Sequence, residues 1–288
     1  MTRQPTRSGP RSPIARSPAA GPSRASRGVP GIVTLTTDFG TRDSYVAQLK
    51  GVLLSRCVDL RIHDLTHDVA PHDVVEGALF LAASVPTFPA GTVHVAVVDP
   101  GVGSDRRPIA AEVSGQRVVC PDNGLLTLLA RTHAIDAVHE LTNPELRREP
   151  VSATFEGRDV FAPAAAHLAC GGALADLGPP VSDVTKLALP EPERTEDGVR
   201  GEVMHVDRFG NAVTNIHVSM LRDALDQARV HAGGCELPML RTYADAASGA
   251  PLALAGSSGY IEVAVREGSA AETLGLRRGS PLLVVPLR

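Results

Sequence analysis

The most constraining feature of this chain is the run Val93-His94-Val95-Ala96-Val97-Val98, apolar at nearly every position and rich in β-branched residues, which stops at Asp99-Pro100-Gly101. A strand of that kind has no face to offer water, so it belongs in a sheet covered on both sides, the usual setting of parallel strands. The flanking segments fit that demand. Ile32-Val33-Thr34-Leu35-Thr36-Thr37 is a second β-branched run, ending at Asp38-Phe39-Gly40. Between the two, residues 44–54 have helical spacing, with Val46, Leu49, Val52 and Leu53 on one face. Residues 59–65 read as a strand and residues 73–85 as a helix stopped by Pro86. Further strands fit 109–113 and 116–119, with a short helix over 125–131 and another over 159–170 closed by Gly171-Gly172. Strands alternating with helices predict an α/β N-terminal domain with a largely parallel sheet over residues 29–180.

The pattern changes at 181–198, a proline-rich and acidic stretch that reads as a linker. Beyond it, short apolar segments at 199–206, 212–216, 229–231, 252–254, 260–265 and 282–285 follow one another with hardly any helix between them. They predict a smaller all-β C-terminal domain over 199–288, a barrel or a sandwich. Residues 1–28 differ from both: Pro, Ser, Arg and Gly dominate, which predicts a disordered basic arm. The arm lacks the apolar core of a secretory signal.

The arm holds six of the 28 basic residues and no acid, so the rest of the chain carries 22 bases against 32 acids, a net charge of −10. That balance argues against a nucleic-acid face on the folded body. No stretch reaches the ~18 consecutive apolar residues of a membrane-spanning helix. Cys57, Cys120, Cys170 and Cys235 are far apart, without a CxxC or a metal-like spacing. They read as reduced thiols of a cytoplasmic protein.

The residues suited to chemistry sit at strand ends beside glycine, where open α/β sheets bind ligands. Thr37-Asp38-Phe39-Gly40 and Asp99-Pro100-Gly101-Val102-Gly103 each set a carboxylate at a strand tip, and Pro121-Asp122-Asn123-Gly124 and Gly157-Arg158-Asp159 add two further polar turns. One such turn is ordinary; four together suggest a site. Gly101-Val102-Gly103 lacks the third glycine of a dinucleotide fingerprint, and no GxxxxGK[ST] occurs. His63, His67 and His72 stand beside Asp64, Asp68 and Asp73, but Pro71 interrupts the segment and the spacing matches no standard zinc pattern, so they read as loop residues rather than metal ligands. Of only nine aromatic residues, Phe39, Tyr45, Phe155, Phe161, Phe209 and Tyr260 lie in or beside these motifs, where rings can stack on a planar ligand. The second domain repeats the polar-glycine-aromatic character in Asp207-Arg208-Phe209-Gly210-Asn211 and Gly256-Ser257-Ser258-Gly259-Tyr260, which suggests a ligand held between domains.

Taken in order, TTDFG at 36–40, DPGVG at 99–103, PDNG at 121–124, GRDVFAPAAAH at 157–167, DRFGNAVTN at 207–215 and SSGY at 257–260 resemble the S-adenosylmethionine hydroxide adenosyltransferases, relatives of the fluorinase and chlorinase. The resemblance spans residues 31–288. It implies attack of water or hydroxide at C5′ of S-adenosyl-L-methionine, giving adenosine and L-methionine, with no metal and no cofactor beyond the substrate. It also implies a homotrimer whose sites lie between the N-terminal domain of one subunit and the C-terminal domain of a neighbour. By the same resemblance Asp38 binds the ribose hydroxyls, Asp207 and Ser257 hold the methionine end, Phe209 and Asn211 contact the adenine, and Asn123 belongs to the substrate-binding set. Asp99 and Arg106 match two members of an Asp-Arg-His water-handling group.

The third member departs. Where the family reads FHGRD, this chain has Phe155-Glu156-Gly157-Arg158-Asp159. Two roles are open to Glu156: accepting a proton from water, or orienting Arg106. The fluorinase carries an aromatic residue and a threonine where this chain has Asp99 and Val102, and a carboxylate beside the nucleophile repels halide. Halogenation at the same carbon and non-catalytic binding of S-adenosylmethionine or adenosine stand as the alternatives.

Overall fold

The computed structural model describes residues 31–221, 225 and 227–286; the arm predicted for residues 1–28 lies outside them. The N-terminal part runs β1 (Ile32–Thr37), α1 (Tyr45–Arg56), β2 (Arg61–Thr66), α2 (Val74–Ser84), β3 (Val93–Val97), β4 (Pro108–Val113), β5 (Gln116–Pro121), α3 (Leu129–Thr132), β6 (Ile135–Glu140) and α4 (Ala162–Ala169). Its six strands form one sheet in the order β2-β1-β3-β5-β4-β6.

Both faces of β3 are covered, as its composition demanded. Val93, Val95 and Val97 pack with Leu49 and Leu53 of α1 and Ala162 and Ala165 of α4. Ala96 and the following Val98 face the other way, against Leu81 of α2 and Leu125. The sheet is mixed, however, rather than largely parallel. β2, β1, β3 and β5 are parallel neighbours, while β4 pairs antiparallel with both β5 and β6. The cause is local: only Ser114-Gly115 separates β4 from β5, both at positive φ (50° and 76°), and a two-residue turn of that kind can join only antiparallel strands. β6 is the edge strand that the sequence pattern did not reveal.

After residue 190 come β7 (Glu193–Arg194), β8 (Val199–Val206), β9 (Ala212–His217), β10 (Ala228–Ala232), β11 (Cys235–Pro238), β12 (Pro251–Ala255), β13 (Tyr260–Val265), α5 (Ala270–Thr273) and β14 (Pro281–Pro286). They form an antiparallel sheet in the order β11-β10-β14-β8-β9-β13-β12, with β7 added beside β8. A bridge between Met239 and Ala253 brings its two ends together, so the sheet nearly closes on its own apolar core.

The stretch between these parts is strapped down. Thr185 donates its backbone N–H to Asp122 Oδ1 (2.8 Å), Leu187 donates to Thr127 Oγ1 (2.9 Å), and Arg107 spans Asp122 and Asp183. A small apolar patch of Ala78, Leu79 and Leu128 against Met204, Val213 and Tyr260 joins the two parts, with Arg278 paired to Asp73.

The cysteines depart from the expectation of four free thiols. Cys57 and Cys170 cap α1 and α4, which pack against each other on one sheet face, and the two are joined as a disulfide with Cα atoms 6.4 Å apart. Cys120 is buried and free; Cys235 is exposed and free. Among the described residues no helix is long and apolar enough to cross a membrane.

Candidate active site

β1 and β3 are adjacent and parallel, so Asp38 and Asp99 emerge at the same edge of the sheet. Together with Phe39, Tyr45, His72, Phe155 and Glu156 they line a pocket of about 560 Å³, a size suited to a small ligand. Asp38 is part-buried, and its Oδ2 accepts the His72 N–H at 2.9 Å.

Asp99 opens a turn that folds the chain back within seven residues. At Gly103 (φ 78°) any side chain would run into the carbonyl oxygen of Ala153, 2.7 Å from the position of a Cβ. The return brings Arg106 behind Asp99. Arg106 Nε donates to Asp99 Oδ1 at 3.0 Å, and Nη2 reaches both Asp99 Oδ2 and Glu156 Oε2. The guanidinium also lies 5.5 Å over the ring of Phe161. Side-chain exposure is 5% for Asp99, 9% for Arg106 and 19% for Glu156, so the cluster is part-buried, with Glu156 its wettest member. Burial works against the charge of Arg106, but its hydrogen bonds and charge contacts with Asp99 and Glu156 outweigh that, and its pKa is raised. Two carboxylates on one guanidinium carry a formal charge of −1 at the pocket wall. That sign favours a cationic ligand and opposes an anionic nucleophile.

Glu156 is held by an irregular turn. Residues Gly157–Phe161 wind as a π-helix into α4, a distortion common at functional sites. Its anchor is Asp159, fully buried, which accepts from Arg158, from Arg148 and from the Ser152 N–H. Burial opposes ionisation of Asp159, yet the Arg158 and Ser152 hydrogen bonds and the charges of both arginines hold its pKa below the ordinary value. A depressed folded-state pKa stabilises the protein above the unfolded value of about 3.9 and ceases to do so as pH falls through the lower folded one. Asp159→Ala is therefore expected to cost about 1–3 kcal/mol in neutral melts. The deficit should shrink toward zero in melts below about pH 4; a deficit independent of pH would contradict the assignment.

A second pocket, of about 780 Å³, lies on the C-terminal sheet and is lined by Asp207, Phe209, Asn211, Tyr243, Ser257 and Glu262 among others. Asp207 builds its own turn: Oδ1 accepts from the Phe209 and Asn211 N–H groups (2.9 and 2.8 Å) and Oδ2 from Asn211 Nδ2 (3.0 Å). The turn leaves the Phe209 ring 76% exposed. Tyr243 donates its hydroxyl to Glu262 Oε1 at 2.5 Å. Burial, reinforced by the charge of Asp207, raises the pKa of Glu262 against that hydrogen bond.

The nine residues marked out in the sequence thus fall into two groups. Asp38, Asp99, Arg106 and Glu156 come together; so do Asp207, Phe209, Asn211 and Ser257; and no residue lines both pockets. Asn123 lines neither, its Nδ2 donating to Val98 O at 2.9 Å. The aromatic residues divide as well. Phe39, Tyr45 and Phe155 form an edge-to-face trio on the first pocket. Phe161 is core, and Tyr260 packs in the patch between the two parts. The three histidines go separate ways: His63 lies beside Phe88, His67 is buried, and His72 lines the first pocket. Tyr243 and Glu262 escaped the sequence reading, although a carboxylate inside the apolar run Tyr260-Ile261-Glu262-Val263-Ala264-Val265 is a usable signal.

Residues 33–178 match the model of the SAM hydroxide adenosyltransferase N-terminal domain, and residues 201–283 that of the C-terminal domain. An (R)-S-adenosyl-L-methionine hydrolase of Salinispora arenicola (strain CNS-205) is 44% identical over 261 residues, 88% of this chain and 97% of the relative. A fluorinase of Actinoplanes sp. (strain N902-109) is 31% identical over 288 residues, 88% of this chain and 97% of the fluorinase. The crystal structure of an uncharacterized conserved protein from Thermotoga maritima superposes with a TM-score of 0.82 at 35% identity, covering 88% of this chain and 99% of that one.

Proposed function

The chain belongs to the SAM hydroxide adenosyltransferase family, and we propose that it hydrolyses S-adenosyl-L-methionine to adenosine and L-methionine. The observation that carries this reading is the part-buried Asp99–Arg106–Glu156 cluster at the first pocket. A sulfonium leaves without protonation, so catalysis needs an aligned, poorly hydrated water and an acceptor for its proton. Water oxygen forms the bond to C5′ as the C5′–S bond breaks, the electron pair passes to sulfur, and the proton passes to a carboxylate. Asp99, at the strand tip, is the proposed acceptor; Arg106 fixes it, and Glu156 fixes Arg106 through the Nη2 that Asp99 also engages. The formal charge of −1 supports the choice of a sulfonium substrate and disfavours halide. The chemistry calls for neither metal nor cofactor. A cytoplasmic location belongs to the same proposal, and the Cys57–Cys170 disulfide, a bond rare in reducing compartments, counts against it.

The remaining roles belong to the same proposal. Asp38 binds the ribose hydroxyls, Phe209 and Asn211 the adenine, and Asp207 and Ser257 the methionine end. Asn123 acts behind the site by holding the Val98 carbonyl, next to Asp99.

Incubation with S-adenosyl-L-methionine, with and without chloride or fluoride, tests the reading. Adenosine and methionine are expected in every case; a 5′-halogenated nucleoside would replace hydrolysis by halogenation, and unchanged substrate would leave a binding protein.

The two pockets share no residue, and the exposed Phe209 ring waits in the second. Both facts support a homotrimer in which each site combines the first pocket of one subunit with the second pocket of its neighbour. Light scattering is expected to give about three times the 30.1 kDa chain mass. An active monomer would overturn the shared site.

A further inference from the structure

We infer that His67 is a positioning residue for the ribose half of the site: a buried ring that clasps the tip of β1 to the 66–73 loop and so fixes the carboxylate of Asp38. The inference rests on the proposed role of Asp38. His67 is 5% exposed and lines neither pocket, so it acts through its neighbours.

The clasp has two arms. On one, His67 Nδ1 lies 2.8 Å from the hydroxyl of Thr37, the last residue of β1. On the other, the carbonyl of His67 accepts the Gly40 N–H at 2.8 Å, closing the Thr37-Asp38-Phe39-Gly40 turn from its far end. Asp38 sits between these anchors. The loop that His67 begins then returns to it, since the His72 N–H donates to Asp38 Oδ2 at 2.9 Å. The His67 ring supplies the first arm and its backbone the second, so the residue ties β1 to the loop whose His72 N–H holds the carboxylate.

The Thr37 hydroxyl oxygen accepts the Phe39 N–H at 3.2 Å and keeps a second lone pair, so toward His67 Nδ1 it can donate or accept. With the ring proton on Nε2, beside the Asp64 carboxylate, the hydroxyl donates to Nδ1. Asp64 Oδ1 stands 3.1 Å from Nε2, although at an angle too bent for a well-formed hydrogen bond. Asp64 is itself bound to Lys50 Nζ of α1 at 2.6 Å. Burial opposes ionisation of Asp64, but the Lys50 hydrogen bond and the proximity of His67 and Lys50 outweigh it and lower its pKa. A polar chain thus runs from Lys50 through Asp64, His67 and Thr37 to the backbone beside Asp38, and a negative Asp64 favours the tautomer with the proton on Nε2.

A merely structural histidine and a positioning one predict different kinetics. Loss of the clasp should impair ribose binding and leave the Asp99 cluster, anchored on β3, in place. In His67→Ala the KM for S-adenosyl-L-methionine is expected to rise at least tenfold while kcat stays within threefold. The side-chain oxygen of Asn occupies the position of Nδ1 and can accept the Thr37 proton, so His67→Asn should recover most of the loss. Gln reaches the Nε2 position instead and should not. In parallel, nitrogen NMR of the imidazoles in the full-length unliganded protein should show His67 neutral and protonated on Nε2. Wild-type KM in a folded His67→Ala, rescue by Gln rather than Asn, or a ring protonated on Nδ1 would each overturn the inference. If His67→Ala fails to fold, the Asn and Gln variants decide it. Absence of wild-type turnover would instead reject the proposed function, and the NMR result would still report on the clasp.

Discussion

Asp99→Asn is expected to abolish most turnover while S-adenosyl-L-methionine still binds. A positioned proton acceptor contributes roughly 10²–10⁴-fold to a rate, and loss of kcat with binding preserved marks a group that acts in the transition state. The substitution is nearly isosteric, and an amide oxygen can still accept from Arg106 Nε, now 3.0 Å from Asp99 Oδ1. Arg106 also keeps its contact with Glu156, so the wall of the pocket stays in place. Glu156→Gln should have the smaller effect, because an amide oxygen can still orient Arg106. Glu156→His restores the residue usual in the family and should keep or raise activity. Single-turnover kinetics of the three variants separate the roles. Normal turnover in Asp99→Asn with none in Glu156→Gln would make Glu156 the proton acceptor and reverse the assignment.

The second large effect is expected on affinity. Asp38→Ala removes the carboxylate proposed to accept from two ribose hydroxyls, and hydrogen bonds to a charged group are worth ~1.5–3 kcal/mol each. Adenosine should bind more than about 100-fold more weakly in calorimetry, where every 1.4 kcal/mol is roughly tenfold. The Ala variant also frees the His72 N–H that Asp38 now engages, so part of the loss belongs to the loop. Asp38→Asn keeps that acceptor and isolates the charge. Unchanged affinity in both variants would refute the ribose assignment.

Much of this arrangement is legible in the chain because its signals are local. The β-branched runs at 32–37 and 93–98 predicted covered strands, and Asp38 and Asp99 at their ends predicted a site at one sheet edge, where both are found. The helix over 73–85 appears as Val74–Ser84, with Asp73 capping it by accepting the Glu76 N–H. Antiparallel strand segments after residue 198 follow from short apolar runs without intervening helices, whose periodicity needs no partner to be recognised.

Which of these local pieces meet is settled by folding alone. The strands at 109–113 and 116–119 were legible, but the Ser114-Gly115 turn between them makes the sheet mixed through where β5 docks and through β6 joining the edge. Cys57 and Cys170 are 113 residues apart and meet only because α1 and α4 share a sheet face. Glu156 in sequence is a departure from a motif; in space it is the second carboxylate on Arg106, 50 residues away. His67 looked like one of three loop histidines until folding placed its ring against Thr37. By itself the sequence determined the elements and the chemistry at their ends, since propensity, periodicity and turn residues act over a few positions. Pairing, burial and charge balance act between segments far apart in the chain, and those the fold alone supplied.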